Sequence, residues 1–135
     1  MSGAADRTGI LLVLSGPAGS GKTTILRTAV ERDANVQFSV SCTTRPPREG
    51  EVDGVDYRFL DDDEFAAKVD AGEFLEHAGV HKWRYGTLRS SVVDLLERGI
   101  DVIMDIDVQG AEQIRASDDR VIAGARVDVF VMPPD

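Results

Sequence analysis

Apolar residues in this chain fall into short dense runs that alternate with longer stretches where they recur every three or four positions. The unbroken run Ile10-Leu11-Leu12-Val13-Leu14 leads straight into a glycine-rich turn. It predicts a strand buried on both faces, as in a parallel sheet. Over residues 22–32, Ile25, Leu26, Ala29 and Val30 share one helical face. Residues 38–43 alternate, with Phe38, Val40 and Cys42 on one side and Ser39, Ser41 and Thr43 on the other. That predicts a strand with one hydroxyl-lined face. Residues 44–56 carry Pro46, Pro47, Gly50 and Gly54 among charges, an excursion of a length that tends to be functional. A short strand is expected at 57–60. The acidic run Asp61, Asp62, Asp63, Glu64 then precedes a helical stripe at Phe65 and Val69 that stops at Gly72. Acidic residues there suit a helix N-terminus better than a metal site. A further helix is expected over 90–98, with Val92, Val93, Leu95 and Leu96 inward and Gly99 as its stop. Residues 100–107 give a second buried strand ending in carboxylates, 108–116 a helix, and 127–132 a strand halted by Pro133 and Pro134. The alternation predicts an α/β fold with a mostly parallel sheet.

Composition narrows the function classes. The chain has 135 residues, 42% hydrophobic and 29% charged, which predicts one ordered domain with a modest core. Its net charge is −9, and its basic residues are scattered apart from Arg45 and Arg48. A surface of that sign does not attract nucleic acid or an anionic membrane, and neither partner is expected. The single cysteine, Cys42, forms no internal disulfide and has no evident base beside it. It reads as a small buried hydrophobe in a reducing compartment. Residues 1–9 lack the apolar core of a signal peptide, and the run at 10–14 is too short to span a bilayer. A soluble, cytoplasmic protein is expected. His77 and His81 are four apart, but Gly79 between them and the lack of a third ligand argue against a metal.

The strongest chemical signal is Gly16-Pro17-Ala18-Gly19-Ser20-Gly21-Lys22-Thr23, which fits the pattern G-x4-G-K-[ST]. It follows a buried strand and opens a helix, the context the motif needs. Glycines let backbone N–H groups converge on one point without Cβ clashes. The following helix aims its unsatisfied N–H groups and positive dipole end at the same point. Lys22 can reach the β- and γ-phosphates of a nucleotide, and the Thr23 hydroxyl can hold Mg²⁺. Such a site wants a carboxylate at the end of a neighbouring strand. Val102-Ile103-Met104-Asp105 supplies one, although an Asp there could also cap the next helix. Asp107, two residues on, would emerge on the same side of an extended strand. Two like charges together call for a cation or hydrogen-bond donors.

The excursion then reads as an acceptor site. Arg45 and Arg48 lie three apart in a proline-stiffened segment, and guanidinium groups form paired bonds to phosphate oxygens. Tyr57 and Tyr85 could add phenolic donors. Glu76 could pair with the guanine edge, where N1–H and the 2-amino group are adjacent donors. Adenine lacks both, so a buried Glu would reject it.

These residues carry a family resemblance. The loop at 16–23 resembles the guanylate kinase phosphate loop. The segment from Ser39 to Tyr57, including Ser41-Cys42-Thr43-Thr44-Arg45-Pro46-Pro47-Arg48-Glu49-Gly50-Glu51, resembles that family's signature almost residue for residue. Gly72-Glu73-Phe74-Leu75-Glu76, Tyr85-Gly86-Thr87 and Asp105-Ile106-Asp107-Val108-Gln109-Gly110 match in order and spacing. The resemblance implies a three-layer P-loop kinase fold in a single domain, with a small GMP-binding insert at about 43–88. It implies ATP-dependent phosphorylation of GMP to GDP with Mg²⁺, and ATP and GMP as the small-molecule partners. The loop residues Gly16 to Thr23, with Thr24 beside them, would bind the ATP phosphates, and Lys22 would stabilise the transferring group. Arg45, Arg48, Tyr57 and Tyr85 would hold the GMP phosphate. Ser41, Glu76, Gly86, Thr87 and Asp107 would contact guanine or the residues that orient it, and Thr23 and Asp105 would serve Mg²⁺. Family members continue with an arginine-bearing lid and a last strand. The chain as given is therefore expected to lack both, to bind GMP and to turn over poorly. Another P-loop kinase, a guanylate-kinase-like phosphopeptide module and an inactive fragment are the alternatives. Intact Glu76 and Tyr57 speak against the first, and intact Lys22 and Thr23 against the second.

Overall fold

The computed structural model describes residues 8–16 and 22–130, without the side chains of Lys22, Thr23 and Ile25. Residues 17–21 of the glycine-rich loop, the Lys22 and Thr23 side chains, and the halt expected at Pro133 and Pro134 lie outside the described residues. In chain order the elements are β1 (Leu11–Ser15), α1 (Lys22–Arg32), β2 (Val36–Phe38), β3 (Cys42–Thr43), β4 (Arg58–Phe59), α2 (Asp62–Asp70), β5 (Phe74–Val80), β6 (Trp83–Leu88), α3 (Arg89–Glu97), β7 (Asp101–Asp105), α4 (Val108–Ala116), α5 (Arg120–Ala125) and β8 (Arg126–Phe130). They divide into two compact units, Met1–Ser39 with Val93–Asp135, and Val40–Val92.

The first unit holds a four-stranded sheet in the order β2-β7-β1-β8, and every pair in it is parallel. The fold is thus α/β with a mostly parallel sheet. The two apolar runs picked out by pattern are its two inner strands. Leu11, Val13 and Leu14 of β1 and Val102, Ile103 and Met104 of β7 are all buried, as strands covered on both faces must be. Leu26 of α1 packs with Leu14 and Ile103, and Ala29 and Val30 lie against the same cluster. The 3.6-residue spacing therefore faces the sheet. Truncating Leu26 to Ala would cost about 2–5 kcal/mol. Ala111 and Ile114 of α4, Ile122 and Ala125 of α5, and Val93 and Leu96 of α3 are buried in this unit as well.

The second unit is built on a smaller sheet, β4-β3-β6-β5, antiparallel except for the β3–β4 pair. Helix α2 opens with a capping box. Asp61 Oδ1 accepts from Glu64 N at 2.7 Å, and Glu64 Oε1 accepts from Asp61 N at 3.0 Å. Two orphan donors of the first turn are satisfied in this way. The acidic run is a cap, as its position before the apolar stripe predicts.

The structure corrects three expectations. The strand expected over 38–43 is two strands in different sheets. Ser39 N makes a last bond to Ile103 O at 3.0 Å, and the chain then passes to β3 in the other unit. The strand expected over 100–107 ends at Asp105. Asp107 instead is the N-cap of α4, with its Oδ1 accepting from Gly110 N at 2.8 Å. The two carboxylates therefore do not share one strand. The β5–β6 hairpin and the short helix α5 were not expected from pattern at all.

Candidate functional site

Register in the smaller sheet sorts its side chains onto two faces. Directly opposed residues point the same way, and neighbours along a strand point opposite ways. Cys42 and His77 both lie opposite Gly86, and Phe74 lies opposite Leu88. These make the face that packs on α2, where Cys42, Phe65 and Leu88 form one buried cluster. Phe65 stacks on Phe74 with ring centroids 4.7 Å apart, and Arg84 Cζ lies 4.5 Å from the centroid of the Phe65 ring. Thr43 lies opposite Tyr85 and Glu76 opposite Thr87, so these four share the other face.

That second face is polar and largely closed to solvent. Glu76 is 8% exposed, Thr87 0% and Arg45 6%. Buried polar groups must find partners, and the hydrogen bonds show how these do. Thr87 Oγ1 donates to Glu76 Oε1 at 2.8 Å. Thr43 Oγ1 donates to Arg84 O at 3.0 Å and accepts from Arg45 N at 3.1 Å. The Arg45 guanidinium donates from Nη1 and Nη2 to the two carboxylate oxygens of Glu51, at 2.9 and 3.0 Å, and from Nη1 to Pro46 O at 3.0 Å. Its Cζ lies 5.2 Å from the centroid of the Tyr57 ring, and the Tyr57 and Tyr85 rings are 6.1 Å apart. The Glu51 carboxylate raises the Arg45 pKa, and the phenols of Tyr85 and Tyr57 add to the rise. Glu51 itself is pulled from an ordinary 4.5 to about 2, first by Arg45 and then by the Arg48 N–H.

The structure thus gathers Glu76, Thr87, Tyr85, Tyr57 and Arg45 in one unit. The main chain of Arg48 is tied to Arg45 through Glu51, whose Oε1 also accepts from Arg48 N at 2.7 Å. Arg48 is exposed, and Ser41 is half-buried with its carbonyl taking Arg58 N at 2.8 Å. Gly86 belongs to the opposite face. A Cβ there would come within 2.8 Å of Phe74 Cδ1 and 3.1 Å of Glu76 O, so Gly86 is glycine for packing, and only its main chain is available to a ligand. Trp83 opens β6, half-buried, with Lys82 Nζ 5.0 Å from its ring centroid. His77 is on β5 and His81 in the hairpin turn, and among the described residues no group of three or more His, Cys, Asp or Glu could hold a metal.

The remaining candidates lie in the first unit. Strand β1 ends at Ser15, and Gly16 turns out of it with φ 156°, where L side chains are rarely found. Leu14 is in register with Asp105 of the parallel neighbour β7. The glycine-rich loop and Asp105, which is exposed, therefore leave the same C-terminal edge of the sheet, where open α/β sheets bind ligands. Thr24 is exposed in the first turn of α1, and its carbonyl accepts from Thr28 Oγ1.

Pattern reading gave Glu51 no role and placed Thr43 only on a hydroxyl-lined strand face. A carboxylate six residues after Arg45 in a loop has no periodicity to betray it. The pair Thr43-Thr44 before Arg45 was the available sign, since both lock onto the main chain of Arg84.

Comparison with known proteins bears on the whole chain. The family model for guanylate kinase matches residues 8–135. The chain is 52% identical over 130 residues to a guanylate kinase of Sphingopyxis alaskensis, covering 96% of this chain and 57% of that protein. It is 51% identical over 126 residues to one of Alkalilimnicola ehrlichii, covering 93% and 60%. A crystal structure of guanylate kinase from Anaplasma phagocytophilum superposes with TM-score 0.72 at 36% identity, over 96% of this chain and 62% of that one. The chain therefore spans about three fifths of the length of the curated relatives it matches.

Proposed function

Because the chain belongs to the guanylate kinase family, we propose that it binds GMP and ATP as part of an enzyme that transfers the terminal phosphoryl group of ATP to GMP. An oxygen of the GMP phosphate attacks the γ-phosphorus, the bond from that phosphorus to the bridging oxygen breaks, and GDP and ADP result. The observation that supports this reading most is the buried Glu76–Thr87 pair on the same sheet face as Tyr85. Thr87 occupies one lone pair of Glu76 and orients its carboxylate. A carboxylate presents two acceptor oxygens, the pattern that matches the adjacent N1–H and 2-amino donors of guanine. Adenine would leave that charge desolvated and unmatched.

In this reading Arg45, Arg48, Tyr57 and Tyr85 take the acceptor phosphate. Ser41, Gly86, Thr87 and Asp107 contact the base or orient the groups that do. The loop from Gly16 to Thr23, with Thr24, takes the donor phosphates, and Lys22 follows the transferring group. Mg²⁺ is bound through one or two carboxylates plus substrate phosphates rather than a protein cage. A single exposed Asp105 at the strand edge that also bears the loop fits that demand, with Thr23 as its partner. When bound, Mg²⁺ would neutralise charge on the β- and γ-phosphate oxygens. A cytoplasmic setting belongs to the same proposal, since Cys42 is a free, buried thiol. No described helix is long and apolar enough to cross a membrane.

Calorimetric titration of this chain with GMP and AMP tests the reading. GMP should bind well and AMP far more weakly. Glu76→Gln should weaken GMP about 10- to 100-fold, the size of a hydrogen bond to a charged group, and leave AMP unchanged. Equal affinity for the two nucleotides would remove Glu76 from this role.

A further inference from the structure

Glu51 is the most heavily engaged carboxylate of the loop that follows β3. It accepts three hydrogen bonds, two from the Arg45 guanidinium and one from the main chain of Arg48. Glu51 N in turn donates to Arg48 O at 3.0 Å, closing a tight turn over residues 48–51. A guanidinium has five N–H donors in a planar fork. Glu51 takes one from each terminal nitrogen, and Pro46 O takes the other on Nη1. Those bonds leave Nε–H and the second N–H of Nη2, and the phenols of Tyr85 and Tyr57 hydrogen-bond the same guanidinium. The two N–H groups are adjacent on one edge and parallel, the arrangement that meets two oxygens of a phosphate.

Resting on the acceptor reading above, we propose that Glu51 is a positioning residue for the acceptor phosphate. It clamps the end of the Arg45 fork so that the Nε/Nη2 edge is presented to the phosphate, and it fixes the turn that carries Arg48. It acts through the two arginines and touches neither the base nor the donor nucleotide. A loop brace of purely structural value would affect all ligands of this unit alike. A positioning role affects only what the arginines bind.

The test measures GMP and guanosine binding to this chain and to its Glu51→Gln variant. Guanosine reports the base site without the phosphate. Glu51→Gln should weaken GMP about ten-fold or more and change guanosine less than about two-fold, consistent with the loss of charge-assisted bonds. In an Arg45→Lys background, which lacks the fork, the effect of Glu51→Gln on GMP should largely vanish, because residues acting through each other are non-additive. If Glu51→Gln does not fold, Glu51→Asp carries the same comparison, since it keeps the charge and shortens the reach. Parallel loss of GMP and guanosine, unchanged GMP affinity, or full additivity with Arg45→Lys would each overturn the proposal. If unmodified chain binds GMP no better than guanosine, the acceptor reading itself fails. Tight GMP binding that survives Glu51→Gln sinks only the role of Glu51.

Discussion

Substituting Gly86 by Ala tests whether the two faces of the small sheet are assigned correctly. Gly86 has no positive φ to explain it. Its glycine identity comes from Phe74, whose Cδ1 and Cε1 would lie 2.8 and 2.9 Å from a new Cβ. A ring at the end of a loose side chain could swing away, but this one is stacked on fully buried Phe65 and has His77 5.9 Å away. On the other side the main-chain oxygen of Glu76 stands at 3.1 Å. Overpacking of this kind costs about 1–3 kcal/mol. Replacing Gly by Ala also stiffens the unfolded chain, which returns about 0.4–1 kcal/mol. The clash outweighs that gain, and a net loss of about 1–2 kcal/mol is expected. Denaturant unfolding followed by circular dichroism measures it, and the midpoint should fall without a change in slope. The decisive step is a double-mutant cycle with Phe74→Leu, which removes the clashing ring edge. The double variant should be more stable than the sum of the singles by at least about 0.5 kcal/mol. Additive singles, or Gly86→Ala at full stability, would refute the packing account of this glycine.

Two further outcomes follow from the ionisable groups. Glu51 ionises near 2 in the folded chain against an ordinary 4.5, so its contribution to stability is fully present above about pH 4.5 and is lost as pH falls toward 2. An acid unfolding series should therefore lose steepness in that window in Glu51→Gln, and an identical curve would show that the Arg45 pair adds nothing. Burial raises the pKa of the Cys42 thiol against the lowering influence of Arg58 and Lys68, which disfavours the reactive thiolate. A thiol reagent such as Ellman's should label native chain slowly and denatured chain at once, whereas equal rates would place Cys42 at the surface.

What could be read from the chain, and what could not, divides along the two kinds of sheet. The inner strands β1 and β7 were legible because parallel strands covered on both faces are continuously apolar, as Ile10 to Leu14 and Val102 to Met104 are. Helices α1 and α2 were legible because their packing faces recur at helical spacing, and in α2 because Asp61 and Glu64 announce a cap. The β5–β6 hairpin hid because one of its faces carries Glu76, Tyr85 and Thr87, buried or half-buried yet polar, and the other is interrupted by Gly86. An alternation test looks for apolar against polar, and here the inward positions on one face are themselves polar. The residues 38–43 misled for a related reason. A period of two records which side a residue faces and not which sheet it joins, so the alternation runs unbroken across the passage from β2 to β3. Residues with candidate chemistry were nonetheless legible one by one, since Arg45, Tyr57 and Glu76 stood out by type and spacing. Their mutual arrangement was not, because it depends on contacts between positions such as Arg45 and Glu51 that lie in irregular chain. The strand pattern fails where polar groups have been taken inside, and a carboxylate and a guanidinium taken inside carry a desolvation cost that partners must meet, which marks such a place as a candidate site. The break in pattern is itself the pointer to the site.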